Sequence, residues 1–207
     1  MIAIIDYGVG NLFSLQSSLK YIGEEAAVTA DRARIEAADR IILPGVGAFE
    51  DAARKLRESG MADLVTAQAK AGKPLMGICL GMQLLFEKSY EYGEHEGLGL
   101  IKGSIVPIKG AVPDNYKIPH IGWNALEFTG RAAEGDEPLF KYIHEGDHVY
   151  FVHSYYAAEC EKSTIARTDY GAPITAAVAE GKVYGCQFHP EKSGKIGLDI
   201  LRAFCEI

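Results

Sequence analysis

Short apolar runs recur through the first 86 residues of the chain and predict buried strands. Their β-branched and aliphatic composition, without alternation of polar residues, is typical of parallel strands that are covered on both faces. The strand signal of one run is weaker than that of the others, because two of its four residues are alanine. The four runs are Met1–Asp6, Ala26–Thr29 (the weak one), Arg40–Leu43 and the stretch that Pro74 opens.

The segments between these runs have helical periodicity. The first helix is predicted from a stripe of apolar residues, with Asn11 placed to cap its start and Gly23 placed to end it. A short polar helix and an alanine-rich charged helix follow in the next two intervals. This strand–helix alternation predicts an α/β fold with a mostly parallel central sheet and flanking helices. The residues of the first stripe are Leu12, Leu15, Leu19 and Ile22.

The pattern changes after Phe86. An acidic, glycine-bearing stretch, Glu87–Gly97, is predicted to be a surface loop, and Ile196–Phe204 predicts a C-terminal helix that covers the sheet. Between them, strand-like runs predict additional antiparallel strands, the last two joined by a hairpin turn at Glu180-Gly181. These runs are Leu98–Val106, His120–Phe128, Val149–Tyr156, Ser163–Arg167, Ile174–Ala179 and Lys182–Phe188. With no repeat, low-complexity segment or linker, residues 1–207 are predicted to form a single domain.

Charge and cysteine usage narrow the classes of function. The net charge is −7 and no basic stripe is present, so nucleic acid is not expected as a partner. No apolar run reaches the roughly 18–20 residues that a membrane crossing requires, and the first six residues are too short and uncharged for a signal peptide. The four cysteines are scattered without a Cys-x-x-Cys pair, which favours free thiols in the cytoplasm.

The segment Pro74–Phe86 carries the strongest chemical signal. A buried strand leads into Gly77-Ile78-Cys79-Leu80-Gly81, and Met82, Leu85 and Phe86 follow at helical spacing, so a helix is predicted to begin near Gly81. This layout matches the strand–turn–helix that presents a nucleophile, with cysteine in place of serine. Flanking side chains would collide with the neighbouring elements, which explains the glycines. A buried, unreactive cysteine in a glycine-rich turn is the alternative interpretation.

Two further segments bear on the same chemistry. Pro44-Gly45-Val46-Gly47 follows a predicted strand and, like Cys79, lies at the carboxyl end of the sheet, where active sites of such folds gather. The Gly8/Gly10 loop does not match a dinucleotide-binding motif, because Phe13 stands where the third glycine is required.

The segment ending in His189-Pro190-Glu191 supplies a possible base and its orienting carboxylate. If the backbone stays extended to Glu191, the two side chains point the same way, and Glu191 can fix the tautomer of His189. A metal site formed with Cys186 is less well supported, because Cys186 should face away from His189 and no second ligand cluster exists. A surface histidine without a catalytic role is the other alternative.

Taken together, Gly77–Gln83, Pro44–Gly47 and His189–Glu191 resemble the class I glutamine amidotransferases over nearly the whole chain. The resemblance implies the flavodoxin-like fold of that family, L-glutamine as substrate, and Cys79, His189 and Glu191 as catalytic residues. It implies no metal and no cofactor. Residues matched to the family's oxyanion and glutamine-binding sites are Gly45, Val46, Gly47, Leu80, Gln83, Glu91, Ser154 and Tyr155.

Two more stretches, Lys117–Asn124 and Val149–Tyr155, resemble the family members that act as the glutaminase subunit of imidazole glycerol phosphate synthase. The resemblance implies ammonia transfer to a (β/α)₈-barrel cyclase subunit in a heterodimer, and glutaminase activity that depends on this partner. Ile121 stands where a common member has Met, which leaves the chemistry unchanged. The residues expected at the docking face are His120, Trp123, Asn124 and Tyr150.

Other functions remain compatible with parts of this pattern. The chain could serve another synthase, such as one making anthranilate or carbamoyl phosphate, although Lys117–Asn124 and Val149–Tyr155 disfavour this. A non-catalytic regulatory partner with the same fold would not need Cys79, His189 and Glu191 together. A cysteine peptidase with the same turn is a third alternative, which a comparison of glutamine and peptide hydrolysis would separate.

Overall fold

The structure is a computed structural model that describes residues 1–207, and it contains six α-helices and fourteen strands. None of the helices has the length and apolar character that a membrane crossing needs. The helices are α1 (Leu12–Tyr21), α2 (Arg32–Ala37), α3 (Phe49–Glu58), α4 (Met61–Lys70), α5 (Leu80–Leu84) and α6 (Gly194–Cys205). The strands are β1 (Ile2–Ile5), β2 (Ala26–Thr29), β3 (Arg40–Leu43), β4 (Leu75–Ile78), β5 (Phe86–Ser89), β6 (His95–Glu96), β7 (Ile101–Pro107), β8 (His120–Ala125), β9 (Glu127–Phe128), β10 (His148–His153), β11 (Tyr155–Ala158), β12 (Thr164–Asp169), β13 (Pro173–Glu180) and β14 (Val183–Cys186).

An eight-stranded mixed sheet forms the centre of the molecule, in the order β2-β1-β3-β4-β14-β13-β12-β9. The five strands from β2 to β14 are parallel, and the remaining three continue the sheet antiparallel. The predicted mostly parallel sheet with antiparallel additions is therefore confirmed. Strand β4 lies in the middle, between β3 and β14, so the turn that follows it emerges at the centre of the sheet edge.

The core has two halves, one on each face of this sheet. Alternation along β1 places Ala3 and Ile5 in one half and Ile2 and Ile4 in the other. Helices α3 and α4 cover the first face, and α1 and α6 cover the second. Each half contains nearly thirty buried residues, so burial on both faces explains why the parallel strands lack polar alternation.

Two smaller sheets stand beside the main one. Strands β10 and β8 form an antiparallel pair, and β11-β7-β5-β6 form a four-stranded sheet. The predicted single strands Val149–Tyr156 and His120–Phe128 are each split between two sheets, at Ser154 and Leu126. The predicted loop Glu87–Gly97 is also partly wrong, because residues 87–89 belong to β5 and His95–Glu96 forms β6.

Three helix predictions need correction. The helix after Cys79 ends at Leu84, and Phe86 begins β5, with its ring fully buried in the core half beneath α3 and α4. The alanine-rich helix is two helices, separated at Gly60, whose φ of +73° a helix cannot contain. Asn11 does precede α1, but its side chain makes no capping hydrogen bond.

Candidate active site

Cys79 sits on the sharp turn between β4 and α5, as the sequence predicts. Its φ of +54° and ψ of −111° place it in a region that residues with side chains rarely adopt. Two hydrogen bonds hold this conformation: the Cys79 N–H donates to the Cys186 carbonyl at 2.7 Å, and the Cys79 carbonyl accepts from Gln83 N–H at 3.1 Å. The turn therefore fixes the sulfur above the sheet edge, with the thiol 8% exposed.

The neighbouring glycines make this turn possible by close packing. A Cβ on Gly77 would lie 2.6 Å from the Gly81 carbonyl oxygen. A Cβ on Gly81 would overlap the Leu43 carbonyl oxygen, and one on Gly45 would lie 2.7 Å from the Gly81 nitrogen. Backbone atoms of β3, the Pro44–Gly47 loop and α5 are thus in direct contact, which no larger residue allows.

The loop from Pro44 to Gly47 has a fixed half and a free half. Pro44 and Gly45 are buried, and the buried Tyr7 hydroxyl donates to the Pro44 carbonyl at 2.8 Å. Val46 is 42% exposed, and Gly47 has a φ of +95° with open space where a Cβ would be. Any rearrangement of this loop is therefore confined to Val46 and Gly47.

Sequence reasoning missed Tyr7, since a tyrosine after an apolar run carries no signal of its contact with Pro44.

His189 and Glu191 come together as predicted, although through a different backbone path. His189 Nδ1 lies 2.8 Å from Glu191 Oε1, with both side chains 3% exposed. The prediction of extended backbone up to Glu191 is wrong, because Pro190–Lys192 forms a 3₁₀ turn. His189 is anchored to β10 by its N–H, which donates to the Tyr150 carbonyl at 3.0 Å, and by Ser193 Oγ, which donates to the His189 carbonyl at 2.7 Å.

Electrostatics favour a charged His189. Burial alone would lower the pKa of His189, but interactions with Cys79 and Glu191 outweigh burial and raise that pKa to about 9 from 6.5. The imidazolium form therefore persists at neutral pH beside the sulfur. This is the arrangement in which a cysteine thiolate is stabilised by a neighbouring cation.

The raised pKa of His189 predicts a pH-dependent contribution to stability. Because the folded-state pKa lies above the unfolded value of 6.5, this contribution is fully present below pH 6.5 and is lost as pH rises through 9. We expect the difference in unfolding free energy between wild type and His189→Gln to shrink from pH 6 to pH 9.5, by on the order of 2–3 kcal/mol. Urea unfolding at the two pH values measures it, and a difference that stays constant would contradict the charged state.

A cleft of about 340 Å³ opens in front of Cys79. It lies where the main sheet, the Pro44–Gly47 loop and the two smaller sheets meet, a setting typical of substrate sites. Of the predicted site residues, Gly45 and Glu191 lie behind its wall. Those that line it are Val46, Gly47, Cys79, Leu80, Gln83, Glu91, Ser154, Tyr155 and His189.

A network of buried hydrogen bonds supports the floor of the cleft. The Tyr155 carbonyl accepts from Gln83 Nε2 at 3.1 Å and from His153 Nδ1 at 2.9 Å. Burial lowers the pKa of His153 to about 3, so its ring is neutral at physiological pH. Gln83 Nε2 also donates to Gln187 Oε1 at 3.0 Å. Sequence reasoning missed Gln187, although a polar residue between the buried Cys186 and Phe188 was a usable signal.

Glu91 lines the cleft, and only one of its two carboxylate oxygens accepts a hydrogen bond. Its Oε2 accepts from the Phe49 N–H at the start of α3, at 2.6 Å. This contact holds the acidic segment against α3 and leaves the second oxygen, Oε1, free to bind a ligand.

The residues predicted for the docking face do not all reach the surface. Trp123 is 53% exposed and packs edge-on against the half-buried Tyr150 across the β8–β10 pair, with ring centroids 6.0 Å apart. Asn124 is half-buried. His120 is fully buried between Tyr170 and Phe151 and contacts His153, so its prediction as a docking residue is wrong.

Comparison with known proteins agrees with this geometry. The family model of class-I glutamine amidotransferases matches residues 3–206, nearly the whole chain. The chain belongs to the class-I glutamine amidotransferase family.

Curated relatives of one name share about half of their residues with this amidotransferase. It is 50% identical to the imidazole glycerol phosphate synthase subunit HisH of Caldanaerobacter subterraneus subspecies tengcongensis, over 100% of this chain and 98% of that protein. It is 48% identical to the protein of the same name from Wolinella succinogenes, with 100% of both chains covered, and to that from Lactococcus lactis, with 99% and 98% covered.

Solved structures share the fold of this amidotransferase. A crystal structure of a glutamine amidotransferase superposes with a TM-score of 0.75 at 22% identity, covering 100% of this chain and 98% of that one. A chain in the structure of PurLQS from Thermotoga maritima gives a TM-score of 0.74 at 21% identity, covering 99% and 97%. At such low identity these similarities establish the fold and no more.

Proposed function

We propose that the chain is the glutaminase subunit of imidazole glycerol phosphate synthase and hydrolyses L-glutamine to glutamate and ammonia. The observation that carries the proposal is Cys79 on its strained turn, facing the His189–Glu191 pair across one cleft. Full-length relatives at 48–50% identity, all named as the HisH subunit of that synthase, support the assignment to this enzyme.

Each of the three catalytic side chains has a distinct task. The Cys79 thiolate attacks the side-chain carboxamide carbon of glutamine, and His189 donates a proton to the departing ammonia. Glu191 accepts from His189 Nδ1 and so directs the other ring nitrogen towards the reacting groups. A γ-glutamyl thioester remains on Cys79, and water attacks it to release glutamate, with His189 taking the proton from that water.

The oxyanion that forms on the carboxamide needs N–H donors fixed in advance. The Leu80 N–H is in the first turn of α5 and has no acceptor within the helix, so it is one donor. The second comes from the Pro44–Gly47 loop. Because only Val46 and Gly47 are free to turn, we propose that a rearrangement of their shared peptide completes the oxyanion site.

The cleft offers complementary groups for the amino-acid end of glutamine. The Glu91 carboxylate, with Oε1 unoccupied, pairs with the substrate ammonium. Gln83, Ser154 and Tyr155 line the wall between Glu91 and Cys79 and position the substrate chain. No metal or organic cofactor takes part in these steps.

Ammonia released in water would be protonated and lost, so its transfer requires a docked partner. We propose that the β8–β10 pair, with Trp123, Asn124 and Tyr150, faces the cyclase subunit. Exposed tryptophan beside tyrosine is typical of the residues that dominate binding energy at interfaces. Lys192, whose Nζ lies 6.0 Å from the Tyr150 ring centroid, adds a positive charge to the same face.

The test is glutamate release from glutamine, measured with and without the cyclase subunit and its ribonucleotide ligand. We expect low activity for the isolated chain and an increase of at least about 100-fold in the liganded complex, the range that one or two hydrogen bonds to an oxyanion supply. Full activity of the isolated chain would contradict control by the partner. Stimulation by another synthase, and not by this cyclase, would contradict the assignment to this enzyme.

A pair of variants tests the docking face separately. Trp123→Ala should weaken the complex by on the order of 2 kcal/mol, the size of an interface hot spot. Tyr21→Ala is the matched control, since Tyr21 is an 80% exposed aromatic residue at the C-terminal end of α1, outside the β8–β10 pair. Equal affinity of both variants for the cyclase subunit, measured by titration calorimetry, would place the interface elsewhere.

A further inference from the structure

We propose that Gln187 is a further catalytic residue, whose side-chain amide donates a hydrogen bond to the Cys79 thiolate. Gln187 Nε2 lies 3.8 Å from Cys79 Sγ, within hydrogen-bonding distance for sulfur. The inference rests on the proposed function, because it concerns the nucleophile of that reaction. It assigns to Gln187 a neutral hydrogen bond to the sulfur, in addition to the positive charge that His189 provides.

The position of Gln187 is fixed by the main sheet. It follows β14 directly, and its N–H donates to the Ala176 carbonyl on β13 at 2.9 Å. The residues on either side, Cys186 and Phe188, are buried in the core half beneath α1 and α6. Alternation along the strand therefore turns Gln187 to the other face, towards α5 and the sulfur, where it is 0% exposed.

The orientation of the Gln187 amide follows from its partners. A backbone carbonyl only accepts hydrogen bonds, so the atom of Gln83 that faces the Tyr155 carbonyl at 3.1 Å must be its nitrogen. That same nitrogen faces Gln187 at 3.0 Å, so the Gln187 atom there must be oxygen. Gln187 Nε2 is then the atom that faces Cys79. The Tyr155 carbonyl thus determines, through two amides, that the sulfur meets a donor.

The thiol and the thiolate of Cys79 have different partners. The thiol can donate to the Val152 carbonyl, 4.0 Å from Sγ, which cannot stabilise an anion. The thiolate can accept from Gln187 and interact with the His189 imidazolium. Removing the Gln187 donor therefore disfavours the thiolate selectively.

Two steps of the reaction depend on the stability of the Cys79 thiolate relative to the thiol. Attack on glutamine requires the thiolate before the carbon–sulfur bond forms. In hydrolysis of the thioester, water adds to the carbonyl carbon and the carbon–sulfur bond breaks with its electron pair passing to sulfur. The departing thiolate then regains the Gln187 hydrogen bond, so the donor favours thioester formation by raising the fraction of Cys79 present as thiolate and favours thioester hydrolysis by stabilising the leaving group.

The test is the rate at which iodoacetamide alkylates Cys79 between pH 5 and pH 10, which reports the thiolate without glutamine or partner. Gln187→Met keeps the length of the side chain and removes both the donor to Cys79 and the acceptor for Gln83. We expect alkylation near neutral pH to fall about three- to tenfold, with the titration of the thiol displaced to higher pH. Gln187→Glu keeps an acceptor for Gln83 but replaces the donor by an anion, and should reduce alkylation at pH 8 by at least about tenfold.

Cys186→Ala is the matched control, because the Cys186 side chain is equally buried and turned away from the sulfur, and alanine keeps the backbone carbonyl that accepts from the Cys79 N–H. We expect its alkylation profile to follow that of wild type, while kcat for glutamine in the liganded cyclase complex falls in Gln187→Met. Unchanged alkylation in both Gln187 variants would overturn the proposal, as would an equal displacement in Cys186→Ala. Failure of the proposed function would instead appear as absent glutamate release from wild type in the liganded cyclase complex, whatever the alkylation profile.

Discussion

Replacing Cys79 with alanine is expected to reduce glutamate release in the liganded cyclase complex by at least about 10⁴-fold. The reason is that no other group in the cleft can form the thioester, and loss of a nucleophile removes most of the catalysis that a triad supplies. The variant should fold and bind the cyclase normally, since alanine fits where the 8% exposed cysteine sits. Steady-state glutamate release and titration calorimetry measure the two properties.

Two controls make this result specific. Cys160→Ala removes another buried thiol, one that contacts Thr164 and Thr175 far from the cleft, and should retain full activity. Added ammonium salt should restore synthesis in the Cys79→Ala complex, because only the supply of ammonia is lost. Glutamate release above one thousandth of the wild-type rate in Cys79→Ala would show that another group is the nucleophile.

Replacing Gly81 with alanine is expected to destabilise the fold by about 3–5 kcal/mol, an effect in the range of severe overpacking. The added methyl group would overlap the Leu43 carbonyl oxygen. Side-chain rotation cannot relieve this overlap, because the Cβ is attached directly to the backbone and the oxygen is part of it. α5 would therefore have to shift away from β3, carrying the Cys79 turn with it. For a chain of this size, the melting temperature should fall by roughly 6–20 °C.

The matched control for this prediction is Gly60→Ala. Gly60 has a φ of +73° with no atom near the position of a Cβ, so its substitution introduces only the backbone strain of about 1–2 kcal/mol. Thermal melts followed by circular dichroism compare the two variants. If Gly81→Ala melts within two degrees of Gly60→Ala, close contact between β3 and α5 is not what requires this glycine.

The turn at Cys79 and the pairing of His189 with Glu191 were predictable from sequence because their signals are local. The Gly77–Gly81 turn is built by five consecutive residues, and His189 and Glu191 are two residues apart. In such short segments, steric requirements select the residue types directly. The alternation of strands and helices up to Cys79 was equally clear, since each parallel strand is buried on both faces.

The assignments that failed depend on contacts between distant segments. His120 looked like a surface residue in an exposed motif, but Tyr170 and Phe151 stack on both sides of its ring. The runs on either side of Ser154 read as one strand, yet they pair with β8 and β7 in different sheets. Alternation alone cannot reveal where a strand leaves one sheet and enters another.

Tyr7 and Gln187 were missed for a related reason. Their partners, Pro44 and Cys79, are 37 and 108 residues away, and neither contact leaves a periodic pattern. A polar or amphipathic residue inside an apolar run is the only local trace of such a role. Buried polar residues of that kind are more informative than exposed ones, because burial requires a partner.

The placement of β4 beside β14 also determines when the chain can become an enzyme during its synthesis. Strand β4 is complete at Ile78, but its second neighbour begins at Val183, more than a hundred residues later. Until the ribosome has released that segment, one side of β4 is an open hydrogen-bonding edge, and the Cys79 N–H lacks the Cys186 carbonyl that holds its turn. The Cys79 turn can therefore be completed only after β14 has been made, so a growing chain that lacks β14 is not expected to act on glutamine.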